Sequence, residues 1–111
     1  MLKISGTTIT LTRGDSANIL LDLQYKNSGE SYVPEEGDAI RFAMKKTYSD
    51  LLPSLVLVNI PIDSLILHIS PEDTKYLAYG DYKYDIQLTK ANGDIDTFID
   101  RATFIITEEV E

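Results

Sequence analysis

The sequence predicts an all-β fold of seven antiparallel strands, with one short helix before the sixth. Three observations predict it. Apolar residues alternate with polar ones through most of the chain. Turn residues recur at short spacing. No stretch carries the long amphipathic pattern that a parallel α/β fold needs between its strands.

The clearest alternation lies in LAYGDYKYDIQLTKANGDIDT, Leu77 to Thr97. Tyr82, Tyr84, Ile86 and Leu88 fall on one face, and Lys83, Asp85, Gln87 and Thr89 on the other. That period of two marks a strand with one buried face. Asn92-Gly93 follows. Both residues tolerate positive φ, so the pair predicts a two-residue type I′ hairpin turn. That loop places Ala91 opposite Asp94, Leu88 opposite Thr97 and Ile86 opposite Ile99. It also sets Asp85 against Asp100, and like charges directly opposed repel. A bulge near Asp100-Arg101 relieves the repulsion and turns Ala102, Phe104 and Ile106 inward.

Upstream, Ser70-Pro71-Glu72-Asp73 reads as a helix start. Ser70 is the N-cap, Pro71 stands in the first turn, and two acids sit near the positive end of the dipole. Gly80 is expected to end this helix within two turns. The order Gly80, Tyr82, Tyr84 then matches the corner before the sixth strand of an immunoglobulin-like sandwich. In that corner a tyrosine, two residues ahead of the core position, bonds its hydroxyl to upstream backbone. Tyr82 is the corner residue on this reading, and Tyr84 replaces the usual cysteine. Plain packing of both tyrosines competes with it; the helix and Gly80 favour the corner. An up-and-down barrel is the alternative architecture.

The remaining strands follow in order. Leu2 and Ile4 open a strand that Gly6 kinks, and Thr7 to Thr12 alternates threonine with Ile9 and Leu11. Arg13-Gly14-Asp15-Ser16 is a turn. Ser16 to Gln24 is the second strand, with Ile19, Leu21 and Leu23 inward, which leaves Leu20 outward. Tyr25 to Asp38 is a polar connection. Ala39 to Lys46 turns Ile40, Phe42 and Met44 inward. Tyr48 to Ser54 is a loop closed by Pro53. Leu55 to Ile60 and Leu65 to Ile69 are two more strands, joined by Pro61-Ile62-Asp63-Ser64 and apolar on both faces. Either Val56 and Val58 or Leu55 and Leu57 must therefore face outward.

Composition bounds the function. A chain of 111 residues, 43% apolar, is one domain over residues 1–111 with a core that needs no staples. It has no cysteine, hence no disulfide, thiol chemistry or thiolate metal site, which fits a cytoplasmic product. The opening MLKISGTTIT lacks the apolar core of a signal peptide, and no apolar run approaches membrane-spanning length. A net charge of −8 without a basic stripe argues against nucleic acid and anionic lipid as partners.

Few residues suggest chemistry. Arg13-Gly14-Asp15 spells the tripeptide that integrins read, but a strand-to-strand turn needs Gly and Asp anyway. Asn92, Asp94 and Asp96 have the spacing of the first calcium-loop ligands, yet Thr97 and Thr103 stand where that loop needs glycine and an acid. A weak cation site between Asp85 and Asp100 is the remaining ionic option. His68, the one histidine, lies in a strand without an oriented partner in its surroundings. There is no phosphate loop, metalloprotease helix or serine elbow. Of seven tyrosines, Tyr25, Tyr32 and Tyr48 fall in loops and Tyr76 and Tyr79 near the helix, a distribution that suits a protein interface and, second to it, a sugar.

ITLTRGDSANILLDL, YVPEEGDAIRFAMKK and LHISPEDTKYLAYGDYKYDIQLTKANGDIDTFI resemble small immunoglobulin-like domains of tailed phages and prophages of Gram-positive bacteria, nearest the N-terminal domain of baseplate upper proteins. The shared features are a Thr-rich strand running into an Arg-Gly-Asp-like turn, a Gly-Asp before a strand, and a Tyr-x-Tyr-Asp strand before a glycine hairpin. They cover Ile9 to Thr107. The resemblance implies a non-enzymatic structural or assembly module of tail or baseplate type, with no catalytic residue, cofactor or metal. Its partners would be copies of itself or other virion components, and it would reside in the virion once assembled. Leu20, Phe98, Val56 and Val58 are the expected contact residues. A carbohydrate-binding or adhesion module is the alternative.

Overall fold

The computed structural model describes residues 2–5, 7–24, 32–47 and 53–108, residues 2–5 and Asp100 by backbone alone. The fold is all-β. Eight strands run in order: β1 (Leu2–Ser5), β2 (Thr8–Thr12), β3 (Ala17–Leu20), β4 (Ala39–Lys45), β5 (Val56–Ile60), β6 (Ile66–Ile69), β7 (Gly80–Thr89) and β8 (Ile95–Thr107). One short helix, α1 (Pro71–Thr74), precedes β7. A six-stranded sheet has the order β1-β2-β8-β7-β4-β5, and β3 pairs with β6 in a second sheet.

Two features correct the expected seven antiparallel strands. First, the chain reverses between Ser5 and Thr8, so β1 is a separate strand antiparallel to β2. Second, β2 runs parallel to β8, with Ile9 beside Phe104 and Leu11 beside Ile106. Residues of like face meet in that register, which is what the core requires. A strand's alternation is the same read in either direction, so sequence pattern cannot distinguish a parallel neighbour from an antiparallel one.

The core lies between the two sheets. Tyr82, Tyr84, Ile86 and Leu88 of β7 are buried, as are Ile40, Phe42 and Met44 of β4 and Ala102, Phe104 and Ile106 of β8. Ile19, Leu67 and Ile69 close it from the second sheet. Phe42, Tyr84 and Phe104 meet at its centre, with ring centroids 5.2 to 6.3 Å apart. Burying such a side chain stabilises the fold by about 1.5–3 kcal/mol.

The β7–β8 hairpin differs from the two-residue expectation at its tip. Lys90 and Asp94 close the loop, with the Lys90 N–H donating to the Asp94 carbonyl at 2.7 Å and the Gly93 N–H to the Lys90 carbonyl at 2.9 Å. Ala91, Asn92 and Gly93 thus form a three-residue loop. Gly93, at φ +96°, is its one residue of positive φ. This is a type I turn followed by a left-handed residue. The extra residue shifts the register by one, so Leu88 faces Asp96 and Gln87 faces Thr97. A register break between Ile86 and Gln87 leaves Phe98 unpaired and restores Ile86 opposite Ile99. A second break, between Tyr84 and Ile86, falls at Asp100 and Arg101, where Arg101 takes φ +55°. Beyond it Tyr84 faces Ala102 and Tyr82 faces Phe104, which brings the large inward residues into line.

Candidate functional site

The corner before β7 is held by several hydrogen bonds. The Ser70 N–H donates to the Asp73 carboxylate at 2.8 Å, and the Asp73 N–H to the Ser70 carbonyl at 3.0 Å, so the helix start is closed on both sides. The helix stops at Thr74, well before Gly80. Gly80 instead opens β7, where φ +133° turns the chain into the strand, a conformation other residues rarely adopt. Tyr82 then donates its hydroxyl to the Ala78 carbonyl at 2.7 Å. Tyr84, two residues on, donates to the Thr7 carbonyl and ties β7 to the β1–β2 turn. Burial pushes the Tyr84 hydroxyl up to about 12 and raises Tyr82 as well.

The Arg13-Gly14-Asp15 turn docks on this corner. Thr74, almost fully buried, accepts the Gly14 N–H on its Oγ1 at 2.9 Å. Arg13 donates to the Leu77 carbonyl at 3.3 Å and to the Tyr79 hydroxyl at 2.8 Å, with its guanidinium 4.2 Å from the Tyr79 ring centroid. Lys46 lies over the Tyr82 ring and donates to the Asp81 carbonyl. The tripeptide is thus a structural clamp. Arg13 and Thr74 lie about sixty residues apart in the chain, and no local pattern in the sequence joins them.

A second clamp holds the opposite end. Asp38 accepts from the Glu35 N–H at 2.9 Å and from the Tyr32 hydroxyl at 2.7 Å. Those two bonds, the backbone one first, hold its carboxyl below the usual range. Gly37, at φ +93°, passes so close to the hairpin tip that a Cβ there would lie 2.8 Å from Ala91 Cβ. Phe98 is half-buried and packs its ring 5.6 Å from that of Tyr32, so it is not the outward contact residue the sequence suggests. The bulge that leaves it unpaired re-aims it toward the core.

The ionic candidates separate. Arg41 donates to Asp85 at 3.1 Å and to Gln87 at 2.6 Å on the outer face of the six-stranded sheet. Asp85 is therefore neutralised by β4. This half-exposed pair contributes at most about 1 kcal/mol. Asn92 accepts the Asp94 N–H at 2.9 Å, a turn bond. Among the described residues no group of three or more His, Asp or Glu is placed to hold a metal. His68 is exposed and bonds Asn18, its cross-strand partner, at 2.7 Å.

Among the described residues the exposed large apolar side chains include a pair on each sheet, with Val33 and Ile95 exposed elsewhere. Leu20 (74% exposed) stands directly opposite Ile66 on the outer face of the β3–β6 sheet. Leu57 (63% exposed) and Leu55 lie on the outer face at β5. Val56 is buried and Val58 half-buried against the core, so β5 presents its leucines outward and not the valines named from sequence. Tyr76 and Tyr79 are exposed near the corner. A cleft of about 270 Å³ runs beside β3, lined chiefly by Ile9, Ile19, Tyr84, Ile86 and Ile99. Tyr25, Tyr48, Leu51 and Leu52 lie outside the described residues. Among the described residues no helix is long and apolar enough to cross a membrane. No family model, curated protein or solved structure matches the chain.

Proposed function

We propose that this protein is a non-enzymatic structural or assembly module of phage or prophage origin, of tail or baseplate type, working through protein contacts. Copies of itself are the first partner. One observation carries the reading: large apolar side chains stand outward on both sheets, Leu20 with Ile66 on one and Leu55 with Leu57 on the other. Contiguous exposed apolar patches mark contact sites. The densely bonded corner and hairpin end supply rigid ends between them.

We infer an immunoglobulin-like arrangement for the fold. In favour of it are the pairing of β3, among the described strands, with β6, the neighbouring order β8-β7-β4 with β5 beside β4, and the Tyr82 bond at the corner before β7. The phage attribution rests on the sequence motifs alone.

A glycan array tests the reading against its alternative. The assembly reading predicts that no glycan is retained. Retention that Tyr76→Ala or Tyr79→Ala abolishes would replace it with a carbohydrate-binding module.

A further inference from the structure

The two outer faces of the sandwich differ in charge. On the six-stranded sheet, Arg41 and Lys45 of β4 and Lys83 of β7 point away from the core, and Arg101 is exposed at the bulge of β8. Asp81 and Asp85 are the acids of β7 on that face. Arg41 bonds Asp85, and Lys83 donates to the Thr103 hydroxyl at 3.2 Å. Lys45 stands directly opposite Lys83. The layer on the other side of the core is the reverse. Residues 14–24 and 61–74, which hold β3, β6, their flanking turns and α1, contain Asp15, Asp22, Asp63, Glu72 and Asp73 and no Lys or Arg. Of these, Asp22, Asp63 and Glu72 are exposed. Each face also has an apolar centre. Leu57 is exposed beside Ala43 on the first, and Leu20 stands opposite Ile66 on the second.

We propose that these faces are the two halves of one contact, the cationic face of the six-stranded sheet in one copy lying on the acidic β3–β6 face of the next. This rests on the assembly reading and names the surfaces that serve it. Charge complementarity selects a second copy as the occupant, because the chain carries both halves. The net charge of −8 opposes association at long range, but salt screens it beyond about 8 Å under physiological conditions, and a contact between unlike faces acts within that distance. Lys45 against Lys83 is a like-charge pair across neighbouring strands, which an acidic surface laid over it offsets. Two cationic faces, or two acidic ones, would instead bring like charges together.

Geometry makes the contact directional. The faces point away from each other across the core, so a copy that uses one still offers the other. Such a contact is heterologous, and it runs on from copy to copy unless rotation closes a ring. Sheets stacked face to face lie about 10 Å apart. Leu57 is then set against the Leu20–Ile66 pair, and the long lysine stems carry their charges to the acids around it. The contact is small, and the association is correspondingly weak and concentration-dependent.

Mixing two variants in sedimentation velocity tests it. Leu57→Lys spoils the apolar centre of one face and Leu20→Lys that of the other, because an ammonium enclosed by leucine loses its water without gaining a partner. Each variant alone stays at the 12.5 kDa monomer at concentrations where the parent is larger. An equimolar mixture restores one sound pair of faces, the Leu57 face of one variant on the Leu20 face of the other, and gives a species of twice that mass and no larger. Both positions are exposed, and a melt by circular dichroism checks that each variant folds. Lys83→Gln and Lys75→Gln leave the same net charge, but only Lys83 lies on the contact. Lys83→Gln weakens association about two- to fivefold, and Lys75→Gln leaves it unchanged. Equal weakening by both overturns the proposal, and so does a mixture that stays monomeric. If either leucine variant alone associates as the parent does, the contact uses a single face, which overturns the proposal and leaves the assembly reading standing. If the parent is monomeric at every concentration, both the stacking and self-assembly fail.

Discussion

The Thr74 hydroxyl accepts the Gly14 N–H at 2.9 Å, and through this bond the short helix before β7 is latched to the turn between β2 and β3. Thr74 is the one buried polar residue among those described, at 1% exposure, while Gly14 is half-buried. Thr74→Val keeps the shape and strands the N–H. The expected loss is about 1–3 kcal/mol, read from the denaturant midpoint at constant slope. Thr74→Ser should recover most of it. An unchanged midpoint for Thr74→Val would mean the latch carries no stability.

Tyr82→Phe tests the corner. Tyr82 itself is buried, but Ala78 is exposed, so water can reach the carbonyl that the hydroxyl leaves. The cost should therefore fall at the low end for a lost hydrogen bond, about 1 kcal/mol. Thermal melts of parent and variant measure it. A loss well above that would point to packing, and none at all would remove the corner bond from the account.

Two glycines of the hairpin end separate strain from space. A Cβ added at Gly93 meets no atom within 4 Å, so the cost of Gly93→Val is chiefly backbone strain, about 1–2 kcal/mol at φ +96°. Gly37→Ala combines similar strain with a Cβ contact of 2.8 Å on Ala91. Gly37→Ala should therefore be more harmful than Gly93→Ala, and adding Ala91→Gly should restore only part of the difference. Equal melting temperatures for the two alanine variants would show that the loops do not press together.

Asp38 and Tyr84 titrate at opposite ends of the pH scale. Asp38 has a folded pKa below its usual 3.8, so its contribution is present above that value and is lost as pH falls through the folded pKa. Asp38→Asn should flatten the acid limb of the stability curve. Tyr84 is raised from 10.0 to about 12, so its contribution is present below pH 10.0 and is lost as pH rises toward 12. Tyr84→Phe should flatten the alkaline limb. A near-ultraviolet titration should show Tyr84 ionising late, and a Tyr84 that ionises at its ordinary value contradicts the burial argument.

What was legible in the sequence follows from periodicity. The inward sets of β4 and β7 have one apolar and one polar face, so their burial could be read directly. The repulsion of Asp85 and Asp100 signalled a bulge at Asp100-Arg101. Where periodicity is silent, so is the sequence. β5 is apolar on both faces, and only packing shows that Leu55 and Leu57 face outward. Asn92-Gly93 suits two-residue and three-residue loops alike, so the register near the tip and the placement of Phe98 were not determined. The bonds of Arg13 to Leu77 and Tyr79 join segments that no local pattern relates.

Self-association is the claim on which the functional account turns. Sedimentation velocity on the parent from micromolar to millimolar concentration measures it directly, with Leu57→Lys and Leu20→Asp run alongside. The account predicts a mass that rises above the 12.5 kDa monomer with concentration in the parent and stays at the monomer in Leu57→Lys. A parent that sediments as a 12.5 kDa monomer at every concentration contradicts it.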